Sequence, residues 1–465
     1  MKSQKDFALH FVGIGGIGMS GIAEVLHNQG YRVSGSDLVN TDTTERLRKL
    51  GINVLIGHKA EHVAHAHVVV ISSAVKRDNA EVLEAHRRRL PVIPRAEMLG
   101  ELMRGKTGIA IAGSHGKTTT TSMMASILTF AQLDPTLVIG GKVDAIGGTA
   151  KLGQGKFVVA EADESDGSFL HLPATYAIVT NIDNDHLDHF GSLDRIDEAF
   201  LSFVAKLPFY GAAAICGEDA GTLRCMNRWL KPFLTYGIDS EFDFYAKDLK
   251  FQEMGSHFTL MGKSLGESGH SQLCEIKLSV PGRHNVLNAL AASAIARELG
   301  VNSEAIAGGL ASYSGVRRRF DIRWNDEKNH RMIVDDYAHH PTEVRATLLA
   351  ARQFWKGPIV TVFQPHRYTR TQHCREDFLT AFQRSDRVLI SDIYSAGEEP
   401  IAGVHSETLV EELRTYSPGA EYIGDLKSSI PKILEHFNSN TLLICMGAGS
   451  ITLMPDLLIK ELNKK

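Results

Sequence analysis

Short apolar runs give way again and again to longer segments of helical periodicity. This alternation restricts the chain to α/β architecture built on parallel sheets. Near the start, Phe7–Val12, Tyr31–Ser34 and Val68–Ser72 read as strands and Gly21–Asn28 and Thr43–Leu50 as helices. Val92 and Ile93 read as a last short strand, Met98–Met103 as a helix and Arg104–Thr107 as a polar linker. A second unit opens with the strand Gly108–Ala112 and the helix Thr118–Phe130, and continues through strands Phe157–Ala160 and Ala177–Asn181. Phe242–Tyr245, His257–Leu260 and Glu275–Val280 then read as β-strands in an antiparallel extension of the central sheet, before an alanine-rich helix at Asn285–Leu299. A third unit starts around Gly315–Arg319, with strands at Met332–Asp335, Ile359–Phe363, Arg387–Ile390 and Leu442–Met446. At roughly 150 residues per domain, the 465 residues suggest three domains. Their expected extents are 1–106, 107–315 and 316–465.

Composition excludes several classes. Apolar residues at 43% and charged residues at 22% are values of a globular protein that buries its cores without staples. A formal net charge of −4 gives no overall pull toward nucleic acid. The five cysteines, Cys216, Cys225, Cys274, Cys374 and Cys445, are odd in number and form no CxxC pair, against a disulfide framework or a cysteine zinc site. Lys2 and Lys5 ahead of an apolar stretch superficially look like a signal peptide, but His10 and the glycines from Gly13 to Gly18 make strand, turn and helix the better reading. No run of about 18 apolar residues occurs, so membrane insertion is not expected and a cytoplasmic location is.

Gly13-Ile-Gly15-Gly16-Ile17-Gly18 fits G-x-G-x-x-G between a strand and a helix. Glycine lets backbone N–H groups approach a diphosphate, and the helix N-terminus favours its charge. Asp37, 19 residues past Gly18, can accept from ribose hydroxyls. Gly15, Gly16, Ile17, Gly18, Ser36, Asp37 and Ser72 are the candidate substrate-binding set. The motif alone does not separate a nicotinamide dinucleotide from a UDP-sugar, and a glycine turn that merely packs helix on strand has the same letters.

A second loop, Gly113-Ser114-His115-Gly116-Lys117-Thr118-Thr119-Thr120, also follows an apolar strand and opens a helix. Its ending has P-loop chemistry: backbone N–H groups cradle phosphates, Lys117 reaches the terminal ones and Thr118 can hold magnesium. The spacing departs from G-x-x-x-x-G-K-T, because Ile111 stands at the first glycine position. A nucleoside triphosphate needs a metal opposite the loop. Glu161 ends a strand and opens Glu-Ala-Asp-Glu-Ser-Asp, and His186 lies in Asn-Asp-His-Leu-Asp. Histidine is a less usual magnesium ligand, and alone His186 would read as a surface or core histidine.

Taken together, GSHGKTTT, EADESD, NIDNDHLD and GRHNVLNAL, in this order and through nearly the whole chain, resemble the Mur ligase family. The resemblance extends to HFVGIGGIGMSG, to DDYAHHP at Asp335–Pro341 and to QPHRYTRT at Gln364–Thr371. It implies an α/β fold of three domains: N-terminal Rossmann-like, central P-loop ATPase-like with the antiparallel extension, and C-terminal Rossmann-like. It also implies ATP-dependent ligation of L-alanine to the carboxylate of UDP-N-acetylmuramate through an acyl phosphate, in peptidoglycan precursor synthesis. On that resemblance the first loop takes a UDP-sugar diphosphate, Glu161 and His186 bind Mg2+ with Thr118, Asn285 and Asn288 lie near the adenine, and Arg319 reaches toward the ATP phosphates. Several sister ligases use a carbamylated lysine after the corresponding histidine, but no lysine occurs between His186 and Lys206, so none is expected.

Alanine's carboxylate calls for a cationic clamp. His366-Arg367-Tyr-Thr-Arg370 follows the strand Ile359–Phe363, and guanidinium groups bind carboxylates bidentately. Alone the two arginines would read as an exposed basic face; in the family context they are the clamp. Tyr337 and His339 are expected to shape a small pocket, His339 joining Lys117, Glu161 and His186 in the catalytic set. An NAD-dependent oxidoreductase would leave the second loop unexplained, and a non-catalytic UDP-sugar sensor would bind nucleotide without turnover. A sister ligase that adds a preformed tripeptide is the nearest alternative.

Overall fold

The computed structural model describes residues 7–72, 74–143, 148–263 and 265–464; the side chains of Ile17, residues 141–143 and Asp188 are excepted. Lys2 and Lys5 therefore lie outside the described residues, as does the side chain of the candidate Ile17.

Three sheets organise the chain. In the first, β1 (Ala8–Val12), β2 (Arg32–Asp37), β3 (Asn53–Ile56), β4 (Val68–Ile71) and β5 (Val92–Pro94) stand in the order β3-β2-β1-β4-β5, all parallel. This is the doubly wound order 3-2-1-4-5, one strand short of the full six, and such sheets place ligands beyond the strands' carboxyl ends where the order reverses, here between β1 and β4. The helices α1 (Ile17–Asn28), α2 (Asp42–Lys49), α3 (Ala80–Arg87) and α4 (Arg95–Met103) connect its strands and lead onward. β2 runs three residues past the expected Ser34, because Gly35 and Ser36 pair with Phe11 and Val12. Ser36 is buried there because its hydroxyl donates to Glu81 Oε2 at 2.6 Å.

The second sheet holds β6 (Thr107–Ala112), β7 (Thr136–Val143), β8 (Gly148–Lys151), β9 (Phe157–Glu161), β10 (Tyr176–Val179), β11 (Ala212–Cys216), β12 (Phe233–Gly237), β13 (Phe244–Gln252), β14 (Gly255–Gly262) and β15 (Ser271–Leu278). Their order is β15-β14-β13-β12-β11-β10-β6-β9-β7-β8. The helices here are α5 (Lys117–Phe130), α6 (Leu187–Phe190), α7 (Leu193–Ala205), α8 (Ala220–Arg224), α9 (Arg283–Glu298) and α10 (Ser303–Ala311). β6, β9 and β11 are almost wholly buried, as parallel strands covered on both faces must be. The two-residue link between β13 and β14 forces that pair antiparallel, with Lys263 N–H donating to Asp243 O across it. Thr107 belongs to β6 rather than to a linker, since its N–H pairs with Lys156 O at 2.8 Å.

The third sheet has the order β16-β17-β21-β18-β19-β20, from β16 (Asp321–Asp326), β17 (Arg331–Asp336), β18 (Ile359–Phe363), β19 (Arg387–Ser391), β20 (Ala420–Gly424) and β21 (Leu442–Met446). Only its edge strand β16 is antiparallel among the paired strands. Helices α11 (Pro341–Phe354), α12 (Tyr368–His373), α13 (Arg375–Ala381), α14 (Ser406–Leu413), α15 (Ile430–Glu435) and α16 (Met454–Leu462) accompany it, and separate apolar clusters hold Val334, Phe363 and Phe378, and Ile333, Val362 and Leu458. β16 and β20 were not legible as apolar runs because edge strands are only half covered.

By compactness the chain divides into two units: residues 1–247, 259–275 and 287–313, and residues 248–258, 276–286 and 314–465. The first sheet and most of the second thus share a unit, while parts of β13, β14 and β15 are assigned to the other. Among the described residues, no helix is long and apolar enough to cross a membrane.

Candidate active site

In the first unit, both glycine loops sit at carboxyl ends of parallel strands. At β1's end, Gly13 and Ile14 N–H donate to Ser36 O at 2.8 and 3.0 Å, and Gly15 N–H donates to Asp37 Oδ2 at 2.8 Å. A Cβ on Gly15 would stand 2.8 Å from that same oxygen, so only glycine allows the approach. Asp37, expected to face ribose hydroxyls, thus also holds the loop. Ser72 Oγ lies 3.6 Å from where a Gly13 Cβ would be, beside the same turn.

Behind Ser36 is a buried group that sequence reasoning did not assemble. Glu81 lies within 2.6 Å of His62 Nδ1, 3.5 Å of His10 Nε2 and 3.6 Å of His58 Nδ1. Burial works against its charge, but His10, Ser36 and His62 outweigh it and hold its pKa at about 2. The cluster anchors Ser36, whose carbonyl carries the loop.

At the end of β6, Gly113 takes φ +129° and Gly116, the N-cap of α5, φ +83°. A Cβ on Gly113 would fall 1.9 Å from Thr180 Oγ1. Thr180 and Asn181 follow β10 and fasten the loop: Thr180 Oγ1 donates to His115 O at 2.6 Å, and His115 N–H donates to Asn181 Oδ1 at 2.8 Å. His115 Nε2 and Ser114 Oγ both meet Asp183 (2.8 Å to Oδ2, 2.9 Å to its N–H). Asn288 of α9 comes within 2.9 Å of the place a Gly116 Cβ would fill.

Lys117 Nζ donates to Gly113 O at 2.6 Å, Ser114 O at 3.2 Å and Glu164 Oε1 at 2.8 Å. Burial disfavours its ammonium, yet Glu164, Asp163 and Glu161 together raise its pKa above the usual lysine value. Glu164 is itself pushed up to about 7 by burial, opposed by Lys117. Sequence reasoning chose Glu161 from this segment and passed over Glu164, which is the carboxylate that Lys117 touches. Glu161 ends β9, registered with Ile111 of β6, and its Oε1 accepts Gly140 N–H at 2.8 Å. His186, at φ +59°, places Nε2 3.8 Å from Glu164 Oε1 and 3.6 Å from Asp185 Oδ2. Thr118 and Thr119 are buried in the first turn of α5.

In the second unit, Tyr337, His339, His366 and Tyr394 form a chain of ring contacts at 5.0, 5.8 and 5.5 Å. Arg318 and Arg319 both lie over Tyr337, at 4.8 and 5.0 Å, and Arg319 Nη1 meets Glu343 Oε1 at 3.3 Å. Arg370 Nη1 lies 3.4 Å from His366 Nδ1. Burial first, then the charges of Arg370 and Arg367, depress His366 to a pKa of about 4, so its imidazole is neutral at pH 7. Glu398, absent from the sequence candidates, accepts from Arg367 Nε at 2.6 Å and from Thr369 Oγ1 at 2.6 Å. Asn285 donates from Nδ2 to Pro281 O at 2.7 Å. Tyr337, His339, His366, Arg367, Arg370 and Arg319 are thus gathered around β17 and β18, while the two glycine loops and their acidic partners gather in the first unit.

Comparison with known proteins agrees with this architecture. Residues 8–107 match the description "Mur ligase family, catalytic domain", 111–296 "Mur ligase middle domain" and 318–449 "Mur ligase, glutamate ligase domain". The chain belongs to the Mur ligase family. It is 53% identical over 458 residues to a UDP-N-acetylmuramate–L-alanine ligase of Trichlorobacter lovleyi, covering 98% of each chain. A similarly named ligase of Syntrophotalea carbinolica is 49% identical over 460 residues, with 98% of each chain covered. Among solved structures, UDP-N-acetylmuramate-alanine ligase of Thermotoga maritima superposes with a TM-score of 0.81 at 30% identity, covering 98% of this chain and 99% of that one.

Proposed function

We propose that the chain joins L-alanine to the carboxylate of UDP-N-acetylmuramate, with ATP converted to ADP and phosphate, as a step of peptidoglycan precursor synthesis. The observation that carries this reading is the placement, in one compact unit, of a diphosphate-type glycine loop and a Lys117 phosphate loop faced by carboxylates. The names of the relatives supply the substrates. Residues 1–106 then bind the UDP substrate, 107–315 bind ATP, and 316–465 supply the amino-acid site.

A carboxylate is a poor electrophile, so the muramoyl carboxylate first attacks the γ-phosphate, giving an acyl phosphate and ADP. The alanine amine attacks the acyl carbon and phosphate leaves. No enzyme nucleophile is needed; the chain's work is positioning and charge stabilisation. Lys117, kept charged by its carboxylates, neutralises the transferring phosphoryl group, while the loop's N–H groups cradle it. Arg367 and Arg370 clamp alanine's carboxylate, with His366 neutral between them and His339 against it. Mg2+ fits beside the loop: Glu164 Oε2 is buried without a hydrogen-bond partner among the described residues, and hard carboxylate and hydroxyl oxygens suit that cation. Thr118, Glu161 and His186 would hold it, and bound there it would offset charge on the phosphates. The reading implies a cytoplasmic enzyme.

The test is phosphate release by purified protein with ATP, Mg2+ and UDP-N-acetylmuramate, given L-alanine, glycine, L-serine, the tripeptide or no amine. Alanine-dependent release with a UDP-muramoyl-alanine product, abolished by Lys117→Ala, is expected. Preference for the tripeptide would move the chain to the sister reaction, and no turnover with any amine would overturn the chemistry.

A further inference from the structure

Arg95 opens α4 immediately beyond β5, at the same carboxyl edge of the first sheet as the diphosphate-type loop. Its guanidinium lies over Gly18: a Cβ there would stand 2.7 Å from Nη1, 3.1 Å from Cδ and 3.3 Å from Cζ. The other side of the fork reaches the second sheet, where Nη2 donates to Asp163 Oδ2 at 3.1 Å. Asp163 sits between Glu161 and Glu164, the segment that faces Lys117. One cationic group therefore touches both nucleotide-binding edges of this unit. Its side chain is 22% exposed, and the bond to Asp163 is its hydrogen bond among the described residues. Guanidinium has five N–H donors, so most of the fork remains to be used.

The reaction makes a specific demand on this place. The sugar's carboxylate must approach an already anionic phosphate chain, and Lys117, placed on the phosphate loop, serves the phosphates rather than that carboxylate. Gly18 lies in the first turn of α1, so the guanidinium stands beside the helix end that a diphosphate would take and, through Asp163, beside the acidic segment facing Lys117. We propose that Arg95 binds the lactyl carboxylate of UDP-N-acetylmuramate and presents it to the γ-phosphate, with Asp163 holding the guanidinium in line. This rests on the ligase reading above. Planar, forked donors match a carboxylate in two parallel hydrogen bonds, which a lysine cannot reproduce.

The experiment is calorimetric titration of the full chain and its Arg95→Ala and Arg95→Lys variants with two ligands. UDP-N-acetylmuramate carries the carboxylate; UDP-N-acetylglucosamine has the same nucleotide, diphosphate and amino sugar without it. Arg95→Ala should weaken the first ligand roughly 10- to 100-fold and leave the second unchanged, with Arg95→Lys between. In turnover, KM for UDP-N-acetylmuramate rises and KM for ATP holds. Equal loss of both ligands, in a lysine variant that melts like wild type, would place Arg95 on the diphosphate and overturn the proposal. Unchanged binding of both would also overturn it. Wild-type protein that binds neither ligand overturns the ligase reading, and this inference with it.

Discussion

Replacing Gly113 by alanine tests whether the phosphate loop is held by the strand beside it. The new methyl would meet Thr180 Oγ1 at 1.9 Å, with Thr180 N and Asn181 N at 3.0 and 3.1 Å. That hydroxyl cannot simply turn aside, because it donates to His115 O at 2.6 Å and contacts Ala112 O at 3.2 Å. Three contributions follow. A side chain at φ +129° costs about 1–3 kcal/mol. Overpacking costs about 1–3 kcal/mol more, and losing Thr180's hydrogen bond about 1 kcal/mol. The sum, roughly 3–7 kcal/mol, is set mostly by Thr180, so the cycle with Thr180→Ala separates the parts. In that background the hydroxyl clash and its bond are already gone, and Gly113→Ala should cost the backbone strain and the milder contacts with Thr180 N and Asn181 N, a coupling of about 2 kcal/mol. Urea unfolding of the four proteins, followed by nucleotide titration at each stable condition, reads both stability and loop competence. ATP affinity should fall in the single variant and recover partly in the double. Strict additivity, or a Gly113→Ala protein within about 0.5 kcal/mol of wild type, would refute the reasoning.

Three further outcomes are expected. Glu81 has a folded pKa of about 2 against 4.5, so it stabilises the fold above pH 4.5 and that share is lost as pH falls toward 2. Glu81→Gln should therefore be about 3 kcal/mol less stable at pH 7, a gap that closes on acidification in pH-stepped urea melts; a gap independent of pH would contradict it. His366, depressed to about 4, should titrate by NMR near that value, and stability should drain as pH falls from 6.5 to 4 because the unfolded chain takes the proton first. A midpoint near 6.5 would show that the ring is neither buried nor faced by the arginines as described. Glu398→Ala should loosen Arg367 and raise KM for L-alanine by about tenfold while KM for ATP holds; equal changes in both would mean a general loss of fold.

What the amino-acid order determined by itself is local. Glycines at Gly13–Gly18 and Gly113–Gly116, each between an apolar run and a helical pattern, specify strand–turn–helix because only glycine tolerates those angles and approaches. Fully buried strands such as β6, β9, β18 and β21 were legible because both of their faces are apolar. Half-covered strands such as β16 and β20 carry no such run. Tertiary structure decided the partnerships. Glu164 rather than Glu161 meets Lys117 because the chain turns after β9, and two carboxylates three residues apart look alike in sequence. Glu81 joins His10, His58 and His62, and Arg95 joins Gly18 to Asp163, across separations of 68 residues or more in the pairs Arg95–Asp163 and His10–Glu81. Hydrogen bonds and charge are set by distance in space, and only the stacking of sheet edges brings such groups within 4 Å.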